Sequence, residues 1–339
     1  MAENDKPKKE TKETIVNKAL KAQDIPQQVI KGGTANMVRY RQPLFTIVVG
    51  KKGIGKTYTT EKILKKYVQG NIKTGTKPRK VIILDINQEF TDYPTIPVEA
   101  AFDETKPNWI LAFSSSKYKR FEIRRVIPIH ADGRNMSITE VNIVLSHILE
   151  NFYGGMLLVE DIAKYVADTP TRDLTGGLAT IRHRNCDVIC HFQWKSKALN
   201  PKLWGNINLI RVHNTTDSFE KYLSRIQGSE EILMLSEYLE VYMNEQRRLN
   251  ATPDQIANEN EVPIATFYCY ADMDKGKIKG AFDKDDFKNA VHQYIIMNQR
   301  AALNRYLLDV DPETGKKKYT FTQAYELKME EIMQKYYGN

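Results

Sequence analysis

Gly50, Gly53, Gly55, Lys56 and Thr57 follow the apolar run of residues 44–49 in the order G-x-x-x-x-G-K-T. That spacing suits the phosphates of a nucleotide. The glycines can take backbone angles closed to other residues, so the amides of the turn can point inward at an anion. The helix that follows adds its N-terminus to the same phosphates. Lys56 would neutralise β/γ-phosphate charge and the Thr57 hydroxyl would hold Mg²⁺. The expected nucleotide contacts are Gly50, Lys51, Lys52, Gly53, Ile54, Gly55, Lys56, Thr57 and Tyr58, with ATP and Mg²⁺ as cofactors.

Hydrolysis of a triphosphate further needs a carboxylate that orders the metal and a group that orients water, both at strand ends facing the loop. Glu160 and Asp161 end the apolar run MLLV. Asp85 ends another, VIIL, with Glu89 four residues on. The two acidic pairs compete for the role, and position in the chain favours the later one. Gln193 ends DVICHF, where an amide can sense the γ-phosphate or position water. Arg182 and Arg184 precede that strand and have the charge to complete a neighbour's site.

These side chains need a parallel sheet to position them. Residues 44–49, 81–84 and 156–159 are near-continuous apolar runs, as strands covered on both faces require. Residues 56–68 read as an amphipathic helix between the first two, which is βαβ grammar. NWILAF and RFEIRRVIPI read as strand-like pieces. Ser137 and Glu140 form a capping-box pattern for a helix to about residue 152, and a second helix is expected to reach residue 181. DVICHFQ and NLIRVHN add two strands.

The 339 residues divide into a basic N-terminal arm (1–40), an ATPase core (41–228) and a mainly helical C-terminal region (229–339). The last carries a β-hairpin near 265–282 and helices over 284–308 and 320–337. The net charge of +8 favours polyanionic partners. Three cysteines without C-x-x-C spacing argue for a reducing compartment rather than zinc or disulfides. No apolar run reaches the roughly 20 residues of a membrane helix, which predicts no membrane insertion.

The ordered series GKKGIGKT, VIILDINQEF, MLLVED, Arg182 with Gln193 eleven positions later, and NINLIRVHNTTDSFEKYL resembles the FtsK/HerA superfamily of DNA-pumping ATPases over residues 42–225. Within it, VIILDINQEF resembles that family's strand ending in D-P-x-G-E-Y, with Asp85, Glu89 and Phe90 in register. Ile86 and Gln88 replace the usual proline and glycine, and Glu160-Asp161 reverses the usual Asp-Glu order.

The resemblance implies a RecA-like P-loop NTPase core with a mainly parallel sheet, Gln193 as sensor, Arg182 acting in trans, and Glu89 as a secondary catalytic candidate. By position, Glu160 would serve the metal and Asp161 the water. The style is that of compact viral genome-packaging ATPases. That implies double-stranded DNA as partner, a homo-oligomeric ring (commonly a hexamer), a capsid or portal-type protein as a further partner, and the cytoplasm (a host's, if viral) or the virion as location. Two alternatives remain open: an assembly or secretion-type ATPase that does not pump DNA, and a partition-type (ParA/MinD-like) dimeric ATPase, which Lys51 at the second loop position resembles.

Overall fold

The computed structural model describes residues 42–71, 73, 76–161, 176–178, 181–199, 201–226, 228–251 and 266–339, with backbone alone for Arg182 and Lys202. The N-terminal arm and most of the helix expected before residue 181 lie outside the described residues.

Strands β1 (Phe45–Val49), β2 (Val81–Leu84), β3 (Ile123–Val126), β4 (Met156–Val159), β5 (Asp187–Phe192), β6 (Leu209–Val212), β7 (Cys269–Asp272) and β8 (Lys277–Gly280) form one sheet in the order β3-β2-β4-β5-β1-β6-β7-β8. The first six are parallel. The hairpin β7–β8 adds to β6 in antiparallel sense. Alternate strand residues serve two cores because side chains leave a strand on opposite faces. Val48, Ile83, Leu158 and Ile189 pack with Ile63 and Leu64 of helix α1 (Lys56–Gln69). Ile47, Leu84, Val159 and Cys190 share a core with Val144, Leu145 and Ile148 of the helix Ile138–Asn151. That helix starts at the capping box of Ser137 and Glu140 expected for it.

Two local readings are corrected. NWILAF is a helix, Trp109–Ser114, because Asn108 caps it by accepting from the Leu111 amide at 2.9 Å, and Ile110, Phe113 and Ser114 then share a buried face. The helix expected over 284–308 is broken at Asn298 into Lys284–Met297 and Gln299–Leu307. The Asn298 amide donates there to the Tyr294 carbonyl and to the Tyr238 hydroxyl. The region after residue 229 is largely helical, and its hairpin lies at the end of the sheet that carries the phosphate loop.

In the helix Glu230–Leu249, Glu240 is buried. Burial pushes its carboxyl up to about 7, with Lys195 and a bond from Asn244 opposing. Between pH 4.5 and 7 the native state keeps a proton that the unfolded chain has lost, so this group's contribution to stability falls as pH rises through that window. Glu240→Gln is therefore expected to stabilise the protein at pH 8 by an amount on the order of 3 kcal/mol, and by much less at pH 4.5. Denaturant melts of both proteins at the two pH values check this; an equal effect at both would contradict it.

Candidate nucleotide site

In parallel strands of matched register all carboxyl ends fall on one edge, and ligands bind there. Val49 pairs with Phe192, Val159 with Cys190 and Leu84 with Val159. This brings Gly50, Asp85, Glu160 and Gln193, each one residue past its strand, to a common edge.

The loop uses its glycines in two ways. Gly53 and Gly55 have φ of +79° and +86°, a region that side chains disfavour. Gly50 is in neither; a Cβ there would come within 2.7 Å of the His213 Cβ. It is needed for close approach, a correction to the conformational role expected of it. Lys51 and Lys52 are exposed, Ile54 is buried, and Tyr58 is exposed with the Lys62 ammonium 4.2 Å from its ring centroid. Lys56 folds back over the loop, its Nζ donating to the carbonyls of Gly50 (2.5 Å) and Lys51 (2.8 Å). Burial lowers its pKa, while Glu160, Asp161 and Glu89 oppose that.

The competing acidic pairs converge instead of excluding one another. Thr57 Oγ1 lies 2.8 Å from Glu89 Oε2 and 3.2 Å from Glu160 Oε1. Asp85 is the builder of the turn that makes this possible. Its carboxylate accepts from the amides of Glu89 (2.9 Å) and Phe90 (3.2 Å), and Arg125 donates to it at 3.2 Å. Gln88 turns the chain with φ +56°, the place where the resembled motif has glycine.

Glu160 is buried with Oε2 accepting no hydrogen bond. Burial first, then the nearby Asp85 and Asp161, push its carboxyl up to about 7. Asp161, also buried, holds φ +44°, a conformation costing about 1–2 kcal/mol in a residue with a Cβ. Such strain is characteristic of functional sites. Its Oδ2 accepts from Gln193 Nε2 at 2.9 Å. Gln193 leads directly into the short helix Lys195–Ala198, whose first amides are capped by Asp217 at 3.1 and 2.9 Å. Buried Lys195 then pairs with Glu237 of the helix Glu230–Leu249 at 3.3 Å.

Arg182 is not brought to this site. Its backbone lies in the turn Ile181–Arg184, before β5 begins, and its side chain is outside the described residues. The six residues of β5 separate that turn from Gln193, roughly 20 Å of chain. Arg184 donates to the Glu150 carbonyl.

Several residues at the site were missed. Thr60, His191, Arg211 and His213 are buried beneath the loop, and Thr266, leading into β7, donates to the Ile54 carbonyl at 2.8 Å. The signal for three of them was present: His191, Arg211 and His213 interrupt or end apolar strands of a doubly covered sheet.

The donors suit Mg²⁺ with ATP. Among the described residues no group of three or more His, Cys, Asp or Glu side chains could hold a metal by itself. Mg²⁺ is ordinarily held by one or two carboxylates together with phosphate oxygens. The Thr57 hydroxyl and the Glu160 and Glu89 carboxylates that meet at it are that kind of set.

A glycine-bearing loop between β1 and α1, facing strand-end carboxylates on a mainly parallel sheet, defines a RecA-like P-loop NTPase core. No protein-family model and no curated protein matches the chain. Among solved structures, the genome packaging NTPase B204 from Sulfolobus turreted icosahedral virus 2, in complex with ATP-gammaS, is similar at 14% identity, covering 70% of this chain and 96% of its own, with a TM-score of 0.43. VirB4 of Thermoanaerobacter pseudethanolicus aligns at 13% identity over 56% of this chain and 83% of its own, TM-score 0.36. The N-terminal domain of zonular occludens toxin from Neisseria meningitidis aligns at 13% over 52% and 79%, TM-score 0.28. At that level of similarity the chain's own residues decide what it can do.

Proposed function

We propose that this chain is an ATP-hydrolysing motor of the FtsK/HerA type that moves or packages double-stranded DNA. The observation that carries the reading is the meeting of Thr57, Glu160, Asp161 and Gln193 beside the phosphate loop. Lys56 and the loop amides would bind the triphosphate. Thr57 and Glu160, with Glu89 behind them, would hold Mg²⁺, which when bound neutralises phosphate charge. Asp161 would orient water and accept its proton. Gln193 would report nucleotide state along the segment to Asp217.

Arg182 would serve a neighbouring subunit in a ring, commonly of six, since its own loop lies a strand's length away. The +8 net charge favours duplex DNA as the track. Contacts to it would be phosphate-dominated and steeply weakened by salt. Residues 229–339, whose hairpin extends the sheet of the expected 41–228 core, would grip the ring or a capsid or portal-type protein through their helices. Among the described residues no helix is long and apolar enough to cross a membrane. A host cytoplasm or a virion is the setting such a motor would have.

The test is the ATPase rate of the assembled oligomer with and without linear duplex DNA, at low and at high salt. DNA stimulation that salt abolishes is expected. Hydrolysis indifferent to DNA would reject the motor and leave a nucleotide-driven assembly or secretion-type ATPase. An Arg182→Ala subunit that kept full activity in mixed rings would reject the trans role.

A further inference from the structure

Beneath the phosphate loop a file of polar side chains crosses the sheet where apolar ones would cost less. Thr60 is on the buried face of α1, one turn after Lys56; His191 is in β5 and Arg211 in β6, with exposures of 0%, 2% and 1%. Arg211 Nη2 lies 2.5 Å from Thr60 Oγ1 and 3.2 Å from the Lys56 carbonyl. Thr60 Oγ1 lies 2.8 Å from His191 Nε2. His191 Nδ1 lies 3.4 Å from Glu160 Oε1. The file therefore ends on the carboxylate oxygen that Thr57 also meets, at 3.2 Å.

Donor chemistry gives it one direction. A guanidinium only donates, so Thr60 accepts from Arg211 and has its own proton to give. Ionised, as a metal ligand must be, the Glu160 carboxylate faces Nδ1, where a bare lone pair would be repelled, so the ring proton then belongs on Nδ1 and Nε2 is the acceptor for Thr60. Each group sets the next. The partner of one ring nitrogen fixes what the other can do.

We infer that Arg211, Thr60 and His191 are positioning residues that hold Glu160 through Oε1, the oxygen that also faces Thr57 at 3.2 Å, and so fix the carboxylate at the metal position. None of them touches nucleotide or metal. The inference rests on the ATPase reading of the site, since it concerns Glu160 as a ligand. It explains why a desolvated arginine and histidine are kept in a sheet interior, where unpaired polarity is costly. Residues that orient a metal's ligands typically change metal affinity 10–100-fold when replaced.

The experiment compares two variants of similar size that keep opposite halves of the imidazole. The amide of His191→Asn reaches the Nδ1 position and preserves a donor toward Glu160. That of His191→Gln reaches the Nε2 position and preserves only the Thr60 partner. Mn²⁺ binding is titrated by its paramagnetic resonance signal in the presence of a non-hydrolysable ATP analogue, alongside kcat and KM for ATP. The expected result is Mn²⁺ affinity about 10-fold weaker for His191→Gln, with kcat falling and KM within about 3-fold, while His191→Asn stays within about 3-fold of wild type. Thr60→Val, which removes the link to Arg211, is expected to fall between them. Equal behaviour of the Asn and Gln variants, whether both intact or both impaired, overturns the inference. Wild-type protein that binds no nucleotide would instead overturn the ATPase reading.

Discussion

Lys56→Ala is expected to lower kcat/KM for ATP by roughly 10³-fold, about 4 kcal/mol of transition-state stabilisation. The ammonium is the cation enclosed by the loop, bonded to the Gly50 and Lys51 carbonyls and close enough to Glu160, Asp161 and Glu89 for all three to act on it. A polyphosphate offers stronger acceptors than two neutral carbonyls, so the same amine can swing to it with little reorganisation. Without it the three carboxylates face the γ-phosphate with one less countercharge, and the loss grows as charge develops in the transition state. The side chain is only half-buried, so the variant should melt close to wild type. Steady-state kinetics with a thermal melt decide the matter. Activity within 10-fold of wild type would show that the phosphates are not held here.

Asp161→Asn is expected to cut kcat by roughly 10²- to 10⁴-fold, the usual contribution of a positioned base, while nucleotide and metal affinity persist. An amide oxygen can still accept the Gln193 bond seen at 2.9 Å, but it cannot take a proton from water. Asparagine also tolerates the left-handed angle of +44° at this position, so the melting temperature should be kept or raised. Chemistry and folding are thereby separated in one variant. Glu160→Gln is the companion, expected to weaken metal binding first, because Glu160 and not Asp161 stands against Thr57. Single-turnover hydrolysis beside metal titration distinguishes the two carboxylates. If Asp161→Asn weakened the metal and Glu160→Gln spared it, the assignments would have to be exchanged.

How far the site was legible follows from how local each feature is. GKKGIGKT, MLLVED and the capping box at Ser137 and Glu140 are contiguous, and backbone geometry over a few residues suffices to read them. NWILAF was misread because five consecutive apolar residues fit a strand or a helix equally well, and the Asn108 cap before them decided between the two. Glu89 and Glu160 read as rivals because sequence distance hides the meeting of strand ends. The Asp85 turn, with its two amide bonds, carries Glu89 onto Thr57.

By itself, then, the sequence determined a phosphate-binding loop, the parallel strands around it and the acidic strand ends that face it, since hydrophobic runs and glycine spacing act through neighbours in the chain. Only the tertiary structure decided the division of labour among the carboxylates, the distance of Arg182 from its own loop, and the file from Arg211 through Thr60 and His191 to Glu160. These depend on which strands lie side by side. The order β3-β2-β4-β5-β1-β6 places residues 151 positions apart, Thr60 and Arg211, within hydrogen-bonding reach, which no local pattern encodes.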